Sequence, residues 1–193
     1  MAGSSTADQP VFYFDVGSPE AYLAAERVVE VLGAVPEFAP VRIGGPGGFR
    51  CGEEETIYRS DIERRAAAYV LLPLRWPPEF PADTEWAMLV ATYAKQVGRV
   101  VAYSMAAFRQ AFAAGRDLSD RDSVLLAAAA AEMHPAAVIK AATLKGTRAR
   151  LDAAVEAAHQ AGVRDVPAVR VGGRVFHGDR ELEGAARALA TAA

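Results

Sequence analysis

The chain has 193 residues, of which 52% are hydrophobic and 23% are charged, and its formal net charge is −3. This composition is typical of a soluble globular chain, and the weak acidity provides no basic footprint for nucleic acid or an anionic membrane. The single cysteine, Cys51, excludes an internal disulfide, a CxxC redox pair and a zinc site made of several thiolates.

The N-terminal residues 1–10 are small and polar and lack the apolar segment of a secretory signal, so a flexible N-terminus is predicted. No uninterrupted apolar run reaches the roughly 18 residues of a membrane span. We therefore expect a cytoplasmic protein. In that reducing compartment Cys51, which lies close to three glutamates, is expected to be inert.

The first elements are predicted to be strand, helix and strand. Residues 11–15 form an apolar run rich in β-branched and aromatic side chains, which is typical of a buried strand. Ser18 is predicted to cap a helix with Pro19 at its first position, and this helix ends near Gly33. Residues 38–43 predict a second strand, which the connection allows to run parallel to the first.

The middle of the chain, residues 61–161, is rich in alanine and has helical periodicity interrupted by prolines and glycines. Asp83 is predicted to cap one helix of this block. Ser119 and Asp122 have the spacing of a capping box and predict the start of another helix.

The last part of the chain returns to strands. A helix over residues 147–161 is predicted to end at Gly162. Residues 167–171 and 174–176 are separated by two glycines, which predicts a hairpin, and a final helix covers residues 181–192. The sequence therefore predicts an α/β sheet interrupted by helices.

Two stretches of the sequence carry a resemblance: FDVGSPEAY at residues 14–22, and GVRDVPAV with FHGDREL between residues 162 and 182. The chain resembles the branch of the thioredoxin superfamily that contains 2-hydroxychromene-2-carboxylate isomerases and kappa-class glutathione transferases. These are relatives of the DsbA oxidoreductases, and the resemblance covers roughly residues 11–189.

This resemblance implies a thioredoxin-like fold with a large all-helical insertion. Residues 11–53 and 162–193 would form the discontinuous thioredoxin-like domain, and residues 54–161 the inserted helical domain. The family binds glutathione in the thioredoxin-like half and its second substrate between the halves. Relatives often dimerise, so the resemblance also allows a homodimer.

Ser18 stands where DsbA-type relatives carry their first redox cysteine. A free thiol has a pKa of about 8.5, so an enzyme that uses glutathione has to stabilise the thiolate. The resemblance implies that the Ser18 hydroxyl, at a helix N-terminus, does this as the catalytic residue. From the local residues alone, Ser-Pro is an ordinary helix start.

Val166 and Pro167 are the second element of the site. The resemblance implies a cis bond between them that faces Ser18, with the Val166 backbone free to pair with the cysteinyl peptide of glutathione. The residues alone predict the commoner trans bond, with the proline starting an edge strand.

Asp179 and Arg180 are the third element. The resemblance implies that Asp179 receives the ammonium of the γ-glutamyl end of glutathione, while Arg180 contacts the ligand or braces Asp179. The alternative is a capping aspartate followed by a solvated arginine.

Weaker predictions concern the substrate pocket. Tyr22 and Trp76 are candidates for its lining, and His177 for lining and proton transfer. His134, His159 and His177 have no metal-binding spacing, so no metal site is expected.

The chain also departs from the family. Relatives carry a polar residue before the Asp-Arg pair and often an aromatic residue earlier, where this chain has Gly178 and His177. The acidic stretch at residues 49–53 lacks the asparagine that is common after the second strand. The thiol is therefore expected to be glutathione or another low-molecular-weight thiol.

The resemblance favours a glutathione-dependent isomerase whose thiolate adds to a conjugated double bond of a small, aromatic or conjugated substrate and is then expelled. One alternative is a kappa-class-like glutathione transferase or peroxidase. Another is a DsbA-like domain without redox cysteines that binds a peptide or another thiol without catalysis. A thiol–disulfide oxidoreductase is disfavoured, because Ser18 and Ala21 stand in the two cysteine positions.

Overall fold

The computed structural model describes residues 9–44 and 48–192, the last of these by its backbone alone. Residues 1–8 of the predicted flexible N-terminus lie outside the described residues. The described residues form one sheet of four strands in the order β2-β1-β3-β4. The strands are β1 (Val11–Phe14), β2 (Glu37–Pro40), β3 (Ala168–Val171) and β4 (Arg174–His177).

The sheet is mixed. Strand β1 pairs in parallel with β2 and antiparallel with β3, and β3 pairs antiparallel with β4. The predicted parallel crossover and the predicted hairpin are therefore confirmed. Strand β2 is shorter than predicted, because its partner β1 ends at Phe14. The last hydrogen bond between the two strands runs from the Val41 N–H to the Phe14 carbonyl, at 3.0 Å.

The predicted first helix is divided into α1 (Pro19–Ala25) and α2 (Val28–Leu32). Arg27 separates them with a φ of −117°. Helix α2 ends, as predicted, at Gly33, whose φ of 64° lies in the left-handed region that glycine tolerates best.

Within the described residues, six helices connect β2 to β3. They are α3 (Gly52–Ala68), α4 (Glu85–Gln96), α5 (Val100–Phe112), α6 (Arg121–Ala130), α7 (Pro135–Thr143) and α8 (Lys145–Gln160). A 3₁₀ turn (Asp179–Glu181) then leads into α9 (Leu182–Ala192). The α/β sheet with a large helical insertion is confirmed.

Two predicted helix caps are corrected. Helix α4 begins after Thr84, and the Asp83 carboxylate instead accepts the Glu85 N–H at 2.9 Å. Helix α6 is capped by Asp120, whose carboxylate accepts the N–H groups of residues 122 and 123 at 3.2 and 3.1 Å. These two bonds satisfy backbone N–H groups of the first turn of α6. A cap at Ser119 lies one residue too early to reach the same groups.

Both faces of the sheet are buried. Phe12 and Phe14 of β1 pack on one face with Phe38 and Phe108, whereas Val11 and other side chains of the opposite face pack towards α8. The core thus fixes the end of β1, from which the candidate site begins. None of the helices in the described part of the chain has the length and apolar content that crossing a bilayer requires.

Candidate functional site

Ser18 lies on the turn between β1 and α1 and caps that helix, as predicted. Its backbone is extended (φ −88°, ψ 117°), and its Oγ accepts the Ala21 N–H at 3.1 Å. Pro19 follows at the start of the helix, where its missing N–H costs no hydrogen bond. Ser18 is only 1% exposed, so solvent does not compete for its hydroxyl.

Asp15 holds this turn in place. Its Oδ1 accepts the Gly17 N–H at 2.9 Å and the Thr84 hydroxyl at 2.8 Å, and its carbonyl accepts the Ser18 N–H at 3.1 Å. Burial raises the pKa of the Asp15 carboxyl. A Cβ at Gly17 would lie 2.5 Å from Cγ2 of Thr84, so only glycine lets the start of α4 pack on the turn.

The peptide bond between Val166 and Pro167 is cis, as the resemblance implied. The Val166 N–H is not free, however, because it donates to the Asp165 Oδ1 at 2.7 Å. This corrects the expectation that the Val166 backbone is open for pairing. The Val166 carbonyl accepts no hydrogen bond from the described residues. This carbonyl is therefore available to accept an N–H group of a ligand, although the Val166 N–H is not available to donate.

Two cavities lie against the start of α1, one lined by Glu20 and the other by Ser18. The first, which we call the proline cavity, has a volume of about 550 Å³. It brings together predicted site residues that are distant in sequence: Val166, Pro167, His177, Asp179 and Arg180.

The second cavity, which we call the Asp15 cavity, has a volume of about 420 Å³. Ser18 contributes to its wall together with Asp15, Arg42 and Thr84. Glu20, two residues after Ser18, lines the proline cavity. The first turn of α1 therefore separates the two cavities.

Glu20 is a site residue that the sequence analysis missed. Its Oε2 accepts the Tyr58 hydroxyl at 2.7 Å and the Ser18 hydroxyl at 3.4 Å, and Arg65 approaches its Oε1 to 3.6 Å. Burial, followed by the neighbouring Glu20 carboxylate, raises the pKa of Tyr58. The position of Glu20 in the first turn after a candidate catalytic serine was the available signal.

Asp179 is buried, with 1% exposure, and already has partners. Its carboxylate forms an ion pair with the Arg65 guanidinium and accepts the Tyr69 hydroxyl at 3.0 Å. Burial, and then this carboxylate, raise the pKa of Tyr69. An ammonium group at Asp179 would have to share the carboxylate with Arg65.

Arg180 does not brace Asp179. Its guanidinium donates to both carboxylate oxygens of Asp61, at 3.0 and 3.1 Å. The bracing role predicted as one alternative for Arg180 is wrong. The side chain is 60% exposed, so its guanidinium is also accessible from the proline cavity that it lines.

Comparison with known proteins identifies the family. A model of the DSBA-like thioredoxin domain matches residues 11–190. The chain belongs to the DSBA-like thioredoxin domain family. No curated protein sequence matches it.

Solved structures with this fold include 2-hydroxychromene-2-carboxylate isomerase, at 19% identity and a TM-score of 0.83, with 95% of each chain covered. A probable DsbA oxidoreductase from Streptomyces coelicolor has 19% identity and a TM-score of 0.79, covering 96% of this chain and 89% of its own. The cytosolic disulfide reductase DsbM from Pseudomonas aeruginosa, solved with GSH, has 16% identity and a TM-score of 0.64, covering 95% and 96%. At these identities the likeness concerns the fold.

The predicted aromatic residues of the DSBA-like domain lie in two different places. Tyr22 is 1% exposed and stacks on Phe112 with 5.7 Å between ring centroids, so it belongs to the core. Its predicted place in the pocket lining is therefore corrected. Trp76 lies 6.4 Å from the ring of Tyr58, which lines the proline cavity, in a cluster with Phe80.

The histidines of this DSBA-like domain are separated from one another. His177 lines the proline cavity, and its Nε2 accepts the Arg164 N–H at 3.1 Å. His134 caps α7 through Nδ1, and His159 lies 3.2 Å from the Val163 carbonyl. Within residues 9–44 and 48–192, no group of three or more His, Cys, Asp or Glu side chains could hold a metal ion.

Proposed function

We propose that this DSBA-like domain is a glutathione-dependent isomerase of the 2-hydroxychromene-2-carboxylate isomerase type. The observation that carries the proposal is that one helix start joins two cavities: Ser18 caps α1 in the wall of the Asp15 cavity, and Glu20 lines the proline cavity that contains the cis Val166–Pro167 bond. Cys51, the single cysteine, is exposed at the start of α3 and does not line this cavity. The reactive sulfur would therefore arrive with the ligand.

The residues present fit a thiol tripeptide in part. The Val166 carbonyl can accept the N–H of a cysteinyl residue, as in strand addition. The Arg180 guanidinium can pair with a ligand carboxylate, since such charge-assisted bonds are strong. Asp165 would have to release the Val166 N–H for the second half of the backbone pairing.

The Ser18 hydroxyl would donate a hydrogen bond to the ligand sulfur. Donation to the charged form favours ionisation, because a hydrogen bond to a thiolate lowers its pKa. When bound, the thiol would add to a conjugated double bond, permit rotation about the resulting single bond, and leave unchanged. Ser18 must first turn away from Glu20 to make this bond.

The aromatic side chains beside the cavity support a conjugated or aromatic substrate. Tyr58, Trp76 and Phe80 pack with ring centroids 5.0–6.4 Å apart. Flat apolar walls of this kind pack well against planar ligands. A reducing cytoplasm, which keeps a thiol cofactor reduced, is the compartment that the proposal requires.

Glu20 favours a second candidate function, which is binding of a peptide or another thiol without catalysis. Its carboxylate is 3.4 Å from the Ser18 hydroxyl and would raise the pKa of a thiol bound there, since like charges disfavour ionisation. The two functions differ in the state of the bound sulfur. The isomerase requires a thiolate, whereas the binding protein does not.

Thermal shift with glutathione and its S-methyl derivative tests the proposal. Glutathione should raise the melting temperature of the wild type by mass action, and the shift should shrink in Ser18→Ala. Asp120→Ala is the matched control, because it also removes a helix cap but lies on α6, away from both cavities. Equal shifts with both ligands and with Ser18→Ala would favour the non-catalytic function, and no shift at all would remove the proposal.

During turnover an isomerase returns its thiol. With an isomerisable substrate, the concentration of free thiol should stay constant while product accumulates. Stoichiometric loss of free thiol would instead indicate a transferase and contradict the proposed isomerase.

A further inference from the structure

Asp15 is a partly buried acid that the thiol site does not use. It lies at the end of β1, three residues before Ser18, and its side chain reaches the wall of the Asp15 cavity. We infer that Asp15 is a catalytic acid, which donates a proton from Oδ2 to the carbonyl oxygen of the conjugated substrate and then takes it back. This inference rests on the proposed isomerase function.

The two carboxyl oxygens of Asp15 differ in their hydrogen bonds. Oδ1 accepts both the Gly17 N–H and the Thr84 hydroxyl, at 2.9 and 2.8 Å. Oδ2 accepts no hydrogen bond from residues 9–44 and 48–192. A protonated carboxyl suits this arrangement, because one oxygen is an acceptor and the other carries a proton that it can donate.

The position of Asp15 relative to Ser18 suits a reaction with two centres. The Ser18 N–H donates to the Asp15 carbonyl at 3.1 Å, so both residues belong to one rigid turn. A sulfur bound at the Ser18 hydroxyl would face a substrate in the Asp15 cavity, whose wall includes Pro81, the residue that follows Phe80 of the aromatic cluster. The cavity volume of about 420 Å³ falls within the range of small-molecule sites.

The chemistry requires a proton donor at this place. When the sulfur–carbon bond forms, the π electrons of the double bond move towards the carbonyl oxygen, and Asp15 would give that oxygen its proton. When the sulfur–carbon bond breaks, the oxygen returns the proton to Asp15 and the double bond forms again. No proton is gained or lost over the cycle, and no oxidant or reductant is consumed. General acid catalysis of this kind needs a carboxyl that keeps its proton near neutral pH.

The groups around Asp15 agree with this role. Burial raises the pKa of Asp15, and Asp83 acts in the same direction, whereas the Gly17 and Thr84 hydrogen bonds and the Arg42 charge oppose it. Arg42 is turned partly away, towards Asp83 at 3.5 Å and Glu85 at 3.6 Å. On the core side, burial raises the pKa of Tyr103, so the group that faces Asp15 there is a neutral hydroxyl. A carboxyl held neutral by its surroundings can donate a hydrogen bond to a developing oxyanion.

Asp15→Asn separates the acid from the structural role. The amide oxygen of asparagine can accept both bonds that Asp15 Oδ1 accepts, but its amide group cannot give up a proton at these pH values. The probe reaction is the glutathione-dependent cis-to-trans isomerisation of cis-benzylideneacetone, followed by the change in ultraviolet absorbance. In Asp15→Asn we expect kcat to fall about 10²-fold, the glutathione-induced thermal shift to persist, and the alkaline limb of the kcat–pH profile to disappear.

Infrared difference spectroscopy gives a readout that does not depend on turnover. The wild type minus Asp15→Asn spectrum at neutral pH should contain the carbonyl stretching band of a protonated carboxyl. A carboxylate band in its place would overturn the inference, as would an unchanged kcat in a variant that still binds glutathione. Both of these results leave the proposed function standing. Absence of a glutathione shift in the wild type overturns the proposed function and the inference together.

Discussion

The buried ion pair between Arg65 and Asp179 makes the most quantitative prediction. The side chains are 11% and 1% exposed, and Asp179 also accepts the Tyr69 hydroxyl. Removing one partner of a buried pair costs about 3–5 kcal/mol, because the other charge stays buried without compensation. Arg65 keeps Asp61 at 3.0 Å and Glu20 at 3.6 Å, so for Asp179→Ala we expect the lower end, about 3 kcal/mol.

Chemical denaturation of Asp179→Ala and the wild type measures this loss directly. For a chain of this size it corresponds to a fall in melting temperature of about 6–12 °C. Asp179→Asn keeps an acceptor for Tyr69 and should lose less stability than Asp179→Ala. Lys95→Ala is the control, because it removes only an exposed pair, with Glu37 at 2.6 Å, and should lose at most about 1 kcal/mol.

The result bears on the site because Asp179 was predicted to bind the ammonium of glutathione. A loss of less than about 1 kcal/mol in Asp179→Ala would mean that the buried pair is not formed in solution, since surface pairs contribute no more than this. In that case the carboxylate would be free for a ligand. If the loss is as large as predicted, weaker glutathione binding by Asp179→Ala combines lost stability with a lost ligand contact. Asp179→Asn separates the two effects, because it removes the charge but keeps more of the stability.

Three further predictions concern the turn and the cis bond. Because the pKa of Asp15 is raised in the folded state, its contribution to stability is present below pH 3.8 and is lost as pH rises through the folded pKa; unfolding free energies across pH should lose this slope in Asp15→Asn. Gly17→Ala should destabilise the fold by about 1–3 kcal/mol, because Thr84 has to move, and a neutral result in denaturation would contradict the packing. Asp165→Ala frees the Val166 N–H and removes a negative charge, so calorimetry should show tighter glutathione binding, and unchanged or weaker binding would contradict the role of that N–H.

Local signals in the sequence were sufficient for most of the fold. The apolar run that became β1, the Ser18 cap and the glycine hairpin each depend on residues close together in the chain, and all three appear in the structure. The errors in the predicted helix boundaries also have local causes. The break at Arg27 and the cap at Asp120 depend on side-chain geometry that periodicity does not report.

The candidate site was predicted less completely, because its side chains are paired over long distances. Arg65 reaches Asp179 across 114 residues, and Tyr58 reaches Glu20 across 38. No spacing rule connects such partners. The capture of the Val166 N–H by Asp165 involves adjacent residues, but it depends on a rotamer that the sequence does not reveal.

The central claim is that Ser18 stabilises the thiolate of a bound thiol cofactor. Ultraviolet difference spectroscopy on adding glutathione tests it most directly, because the thiolate absorbs and the thiol does not. The wild type and Asp120→Ala should give a thiolate signal at neutral pH that Ser18→Ala reduces. Binding of glutathione by the wild type without any thiolate signal would contradict the claim.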